Sequence, residues 1–113
     1  MAEPLRFKTS DGKEYVLEFN RRTVREAEQA GFDVEELGTK PMTRIPELFY
    51  YAFKMHHAFI NKKETDRILT EEFAGLREEE LVRLTELYSD PYTALINSED
   101  EGDEKNSRRV TIL

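Results

Sequence analysis

The residues best suited to chemistry in this chain are His56 and His57. Paired imidazoles suit metal ligation or proton transfer near neutral pH. Neighbours on a helix project about 100° apart, so the two rings do not converge on one ion. No carboxylate spacing brings further ligands to them. The pattern reads as His56 at the edge of a core and His57 beside it at the surface. Ser10, Ser89, Ser98 and Ser107 fall in turns or near the end of the chain, outside any nucleophile-elbow context. The five glycines form no phosphate-cradling loop. Carboxylates crowd helix starts and the last stretch, which is the distribution of a solvated face rather than of an acid–base pair. Arg21, Arg22 and Arg25 make the one compact basic cluster, either an anion site or a solvated helix start. No catalytic, cofactor-binding or metal-ligating residue is assigned. The chain reads as a non-enzymatic interaction protein without cofactors.

Composition narrows the partners. The 113 residues suit one domain. A net charge of −7 repels phosphate backbones and anionic lipid, so neither nucleic acid nor membrane is an expected partner. Cysteine is absent, which removes disulfides and thiolate chemistry. No stretch reaches the ~18 apolar residues of a membrane span. MAEPLRFK lacks the apolar run of a secretory signal.

The elements follow from turn signals and periodicity. Ser10-Asp11-Gly12-Lys13 between strand-like flanks predicts a β-hairpin over 4–19, with Asp-Gly supplying positive φ angles. A lone hairpin is marginal in water, so this one must pack on helices or on another chain. Asn20 caps a predicted helix over 22–30, and Gly31 ends it. The most apolar helix is expected from Thr43 to Ile60. Its stripe runs through Ile45, Leu48, Phe49, Ala52, Phe53, His56, Phe59 and Ile60, with Pro46 in the first turn. Asn61 ends it, and Thr65–Phe73 forms another helix. A further helix carries Leu81, Leu84, Leu87 and Tyr88 inward and Glu78, Glu79 and Glu80 in its first turn. Asp90-Pro91 is expected to break it and to begin a last short turn. The fold class is therefore α+β and mainly α, an N-terminal β-hairpin packed on a bundle of four to five helices. Residues 1–97 form the domain. Residues 98–113, which hold five carboxylates between Glu99 and Glu104, form a disordered acidic tail.

Three stretches together resemble a known family. EYVLEFNRRTVREAEQAGFDVEEL, PMTRIPELFYYAFKMHHAFINKKETDRIL and EEFAGLREEELVRLTELYSDPYTAL are similar to the strand-to-helix opening, the aromatic-rich helix and the closing helix of tail assembly chaperones from siphoviruses of Gram-positive hosts and their prophages. The resemblance covers roughly residues 5–96, and its motifs are structural. It implies a protein that binds and solubilises the tape measure protein and helps recruit tail tube subunits. Such a protein works in the host bacterial cytoplasm and is absent from the mature virion. Family members often have a longer form made by ribosomal frameshifting. Glu104-Lys105-Asn106 permits the slippery heptamer A AAA AAC without requiring it.

That function calls for apolar surface that is safe when unoccupied. Tyr50, Tyr51 and Met55 at the edge of the long stripe are the expected contact residues, with Tyr15 and Leu17 on the hairpin face. Coating a long partner also calls for self-association into a homo-oligomer, for which the hairpin offers a strand edge. Two other readings compete: a small acidic phage adaptor that binds a single host protein, and a component of the finished virion.

Overall fold

The computed structural model describes residues 2–96 and 111–112. The 97/98 domain boundary and nearly all of the stretch expected as an acidic tail lie outside the described residues. The chain runs β1 (Leu5–Lys8), β2 (Glu14–Leu17), α1 (Arg21–Gln29), a 3-10 turn (Val34–Leu37), α2 (Pro41–Phe53), α3 (Lys62–Arg67) leading into a π-helical segment (Ile68–Glu72), and α4 (Glu78–Thr93). This is the expected class, an N-terminal antiparallel hairpin on a set of four helices.

The hairpin pairs Leu5 with Leu17 and Phe7 with Tyr15. Its turn departs from the expected one, because Gly12 alone is left-handed (φ 88°). Gly12 N–H bonds the Thr9 carbonyl at 2.9 Å, and Thr9 N–H bonds the Lys13 carbonyl at 2.9 Å. That is a type I turn closed by a glycine bulge, the three-residue solution. Alternation sends Tyr15 and Leu17 into the core, with Leu17 fully buried.

Local signals set α1. Asn20 Oδ1 accepts from Thr23 N–H, and Thr23 Oγ1 accepts from Asn20 N–H, both at 2.9 Å. This reciprocal box satisfies two donors that the first turn would otherwise orphan. At the other end Gly31 is left-handed (φ 99°). Phe32 N–H reaches back to the Ala27 carbonyl at 2.9 Å, and Gly31 N–H to that of Glu28 at 3.0 Å, a Schellman closure. The closure delivers Phe32 to the core, where its ring meets Tyr88 at 5.1 Å.

The central helix differs most from expectation. α2 begins at Pro41, so Pro46 lies inside it, and it ends at Phe53 rather than Ile60. The Ala52 carbonyl, which a continuing helix would offer to His56, instead accepts from Glu18 N–H at 3.0 Å. His56 and His57 N–H both turn back to the Phe53 carbonyl, at 3.2 and 2.8 Å. The hairpin thus takes the helix end for itself. Phe59, expected on the buried stripe, is fully exposed. Asn61 caps α3, its Oδ1 accepting from Glu64 N–H at 2.8 Å.

After α3 the backbone widens, and Phe73 N–H bonds the Ile68 carbonyl at 3.0 Å. Ala74 (φ 54°) and Gly75 (φ 89°) then reverse the chain. For alanine that conformation costs about 1–2 kcal/mol. Glu72 ties this segment to the hairpin turn, accepting from Ser10 N–H at 3.0 Å and Ser10 Oγ at 2.8 Å.

α4 does not break at Asp90-Pro91; it runs through to Thr93. Tyr88 is buried against Phe19 and Phe32, and Tyr92 OH donates to Glu28 on α1. This packing on both sides of the proline outweighs the single hydrogen bond that the proline removes. Asp90 also accepts from Ala2 N–H at 2.9 Å, which fixes the start of the chain to α4.

Asn20→Ala removes one half of the reciprocal box around the buried Thr23. It should lower unfolding stability by about 1–2 kcal/mol in urea titration, with Asn20→Asp recovering most of the loss. An unchanged midpoint would make the cap incidental.

Candidate interaction surface

The residues expected to form a contact surface separate into two groups. Tyr15, Leu17 and Tyr51 are core residues. The hairpin's apolar face is spent on α2, and burial pushes the Tyr51 phenol pKa upward. Tyr50 and Met55 remain half-buried at the surface. The Tyr50 ring packs edge-on against Tyr51 at 4.8 Å, with the Lys54 and Lys62 ammonium groups each 5.5 Å from its centre. Lys54 Nζ donates to the Ala58 carbonyl at 2.9 Å, which fastens the turn that carries Phe59. Phe59, like Tyr50 and Met55, is apolar surface outside the buried core, and periodicity hid it. Its spacing from His56 (i+3) and Ala52 (i+7) places it on the stripe only if the helix continues, and nothing in Lys54-Met55-His56-His57 signals a stop.

The two histidines exchange the roles expected of them. His57 is the inner one. Its Nε2 accepts from Val16 N–H at 3.0 Å, and its ring lies edge-on to Tyr15 at 5.0 Å. His56 is exposed and meets Glu18 Oε1 at 2.8 Å. The early end of α2 causes the exchange by rotating both residues off the helical frame. No group of three or more His, Cys, Asp or Glu among the described residues is arranged to hold a metal ion.

The two edges of the hairpin are consequently unequal. Val16 and Glu18 direct their N–H groups away from β1, and His57 and the Ala52 carbonyl occupy them. By the alternation of an antiparallel ladder, Arg6 and Lys8 on β1 direct their backbone groups outward. Their side chains alternate with the buried-side Leu5 and Phe7, so the open edge bears two cations, a common guard on edge strands.

Elsewhere the surface is tied by carboxylate–arginine contacts. Arg44 joins the 3-10 turn to α2 through Glu36 and Glu47, both at 2.8 Å. The Arg44 bond holds the Glu36 carboxyl below its usual range. Arg67 grips Glu64 through two nitrogens, at 3.2 and 2.6 Å. No helix among the described residues is long and apolar enough to cross a membrane.

A family model described as a domain of unknown function, DUF5055, matches residues 1–112. No curated protein and no solved structure matches the chain.

His57 supplies a pH test. Burial first, and the neighbouring His56 second, lower its pKa from 6.5. The unfolded chain therefore takes up this proton before the folded one as pH falls. The contribution is complete above about 6.5 and drains away below it. Denaturant midpoints should fall between pH 7.5 and 5.5. His57→Gln, whose carbonyl can still accept from Val16 N–H, should flatten that fall. Equal slopes in both proteins would remove His57 from the account.

Proposed function

The chain belongs to the DUF5055 family, and we propose that it is a non-catalytic tail assembly chaperone of a siphovirus or prophage. It binds and solubilises the tape measure protein and helps recruit tail tube subunits. It acts in the host bacterial cytoplasm and leaves before the virion is complete. The observation that carries this reading is Phe59, a large apolar side chain standing fully in solvent on the segment that follows α2, the same segment that carries half-buried Met55. Aromatic and thioether side chains bury much area and adapt to varied partners, as a long amphipathic helix requires. The acidic charge of −7 keeps such a surface soluble when empty. The likeness of residues 5–96 to tail assembly chaperones supplies the partner class.

The test is co-expression with the long open reading frame expected beside the gene, followed by size-exclusion chromatography with light scattering. The reading expects a soluble complex in which many copies elute with the long protein. Elution as a small species alone, with the long protein still insoluble, would favour the adaptor that binds one host protein. Mass spectrometry of purified particles should find no copy of this chain.

Tyr50→Ala, Met55→Ala and Phe59→Ala combined should weaken binding to a tape-measure segment by roughly tenfold or more. Helicity should be retained. The single change Phe59→Ala should alter stability by no more than about 0.5 kcal/mol. Undiminished binding would place the contact elsewhere.

A further inference from the structure

Two apolar patches adjoin α4, one rimmed by carboxylates and the other by two arginines and Glu28. On the outer side of the helix, Leu81 and Val82 meet Leu37 of the 3-10 turn in an open groove of about 530 Å³, rimmed by Glu78 and Glu86. Val82 is 50% exposed. Neither glutamate has an ion-pair partner among the described residues. Pro91 lies half a turn round the helix from Val82, and Leu95 follows just past the helix end. There they adjoin Val24 of α1, with Arg21 and Arg25 beside them. Leu95 and Ile96 protrude at this end, 57% and 68% exposed. Arg22 is paired with Glu26 at 3.1 Å, whereas Arg21 and Arg25 have no ion pair among the described residues.

We propose that a second copy of this chain occupies the groove. The Leu95–Ile96 tip of one copy enters between Leu37, Leu81 and Val82 of the next, and Arg21 and Arg25 meet Glu78 and Glu86. Charge selects this occupant. On a chain of net charge −7, the compact basic cluster Arg21, Arg22 and Arg25 stands beside a protruding apolar tip that follows α4. Burial of the tip supplies the driving force, and the charges set register and suppress wrong pairings. The tip and the groove are different surfaces of the chain, so the contact is heterologous and each docking leaves one of each for a further copy. The inference goes beyond the tape-measure reading and holds or fails on this protein alone.

Light scattering on the full chain over rising concentration tests it, with two charge-reversed variants. One is Arg21→Glu with Arg25→Glu, and the other is Glu78→Lys with Glu86→Lys. The wild-type mass should rise with concentration and fall with added salt. Each variant alone should associate at least tenfold more weakly, the second even though its net charge is nearer zero. Mixed in equal amounts they should associate again, because the reversed tip of one fits the reversed groove of the other. Circular dichroism should show both folded. A wild type that stays monomeric overturns the proposal. So does either variant associating as the wild type does, which passes the contact to the open edge of β1. An arginine variant that associates more strongly also overturns it, and assigns Arg21 and Arg25 to the chain's own acidic run, Glu99–Glu104.

Discussion

The ring of Phe53 is where the fold is decided. Tyr15 approaches it edge-on at 5.4 Å, Phe49 at 5.0 Å, Phe7 at 6.1 Å and His57 at 6.1 Å. These come from both strands, from α2 itself and from the turn that follows. A two-stranded hairpin has no second layer of its own, so its buried face needs a helix to lie on. Phe53 meets that need and is fully buried in doing so. Edge-to-face geometry makes such a cluster directional as well as apolar. It therefore fixes the angle of the hairpin on α2 as well as holding the two together.

The position of Phe53 at the very end of α2 has a further effect. Because the hairpin sits there, its backbone competes for the last carbonyls of the helix and wins that of Ala52. The chain must then leave the helix, and the side chains of the next turn are thrown outward. Core formation and surface presentation are thus coupled at one point: the hairpin contacts that bury Tyr15 against Phe53 are the ones that end α2 before Phe59. The polar ties around the rim, Glu72 to Ser10 and Arg44 to Glu36 and Glu47, hold neighbouring elements to this centre without entering it.

Legibility in the sequence followed the range of each interaction. Asn20 and Gly31 act on their own backbone neighbours, and both marked the ends of α1 as expected. Of the residues expected inward on α4, Leu84, Leu87 and Tyr88 are buried as the helical period requires, whereas Leu81 is half-buried at the groove. The proline at 91 misled, because its local cost is set against the long-range packing of Tyr88 on Phe19 and Phe32 and the bond from Tyr92 to Glu28 on α1. The end of α2 was invisible for the same reason, since the group that terminates it, Glu18 N–H, lies far away in sequence. Every site residue misplaced by periodicity traces to these tertiary contacts. Tyr15 and Leu17 were read correctly as one apolar face, but whether that face met a helix or another chain was undetermined by spacing.

The π-helical segment carries a consequence for how this chain can vary. A π turn is an α turn holding one residue too many. Loss of a single residue from 68–72 would let ordinary α bonding run straight through. Everything beyond would then swing round by about 100°. Phe73, which now touches Phe7 at 4.8 Å and Phe49 at 5.4 Å, would leave the aromatic centre altogether. The stretch between Asn61 and Gly75 is in this sense counted rather than merely spelled. Substitutions at its exposed positions are negotiable, whereas insertions and deletions cost the fold its centre.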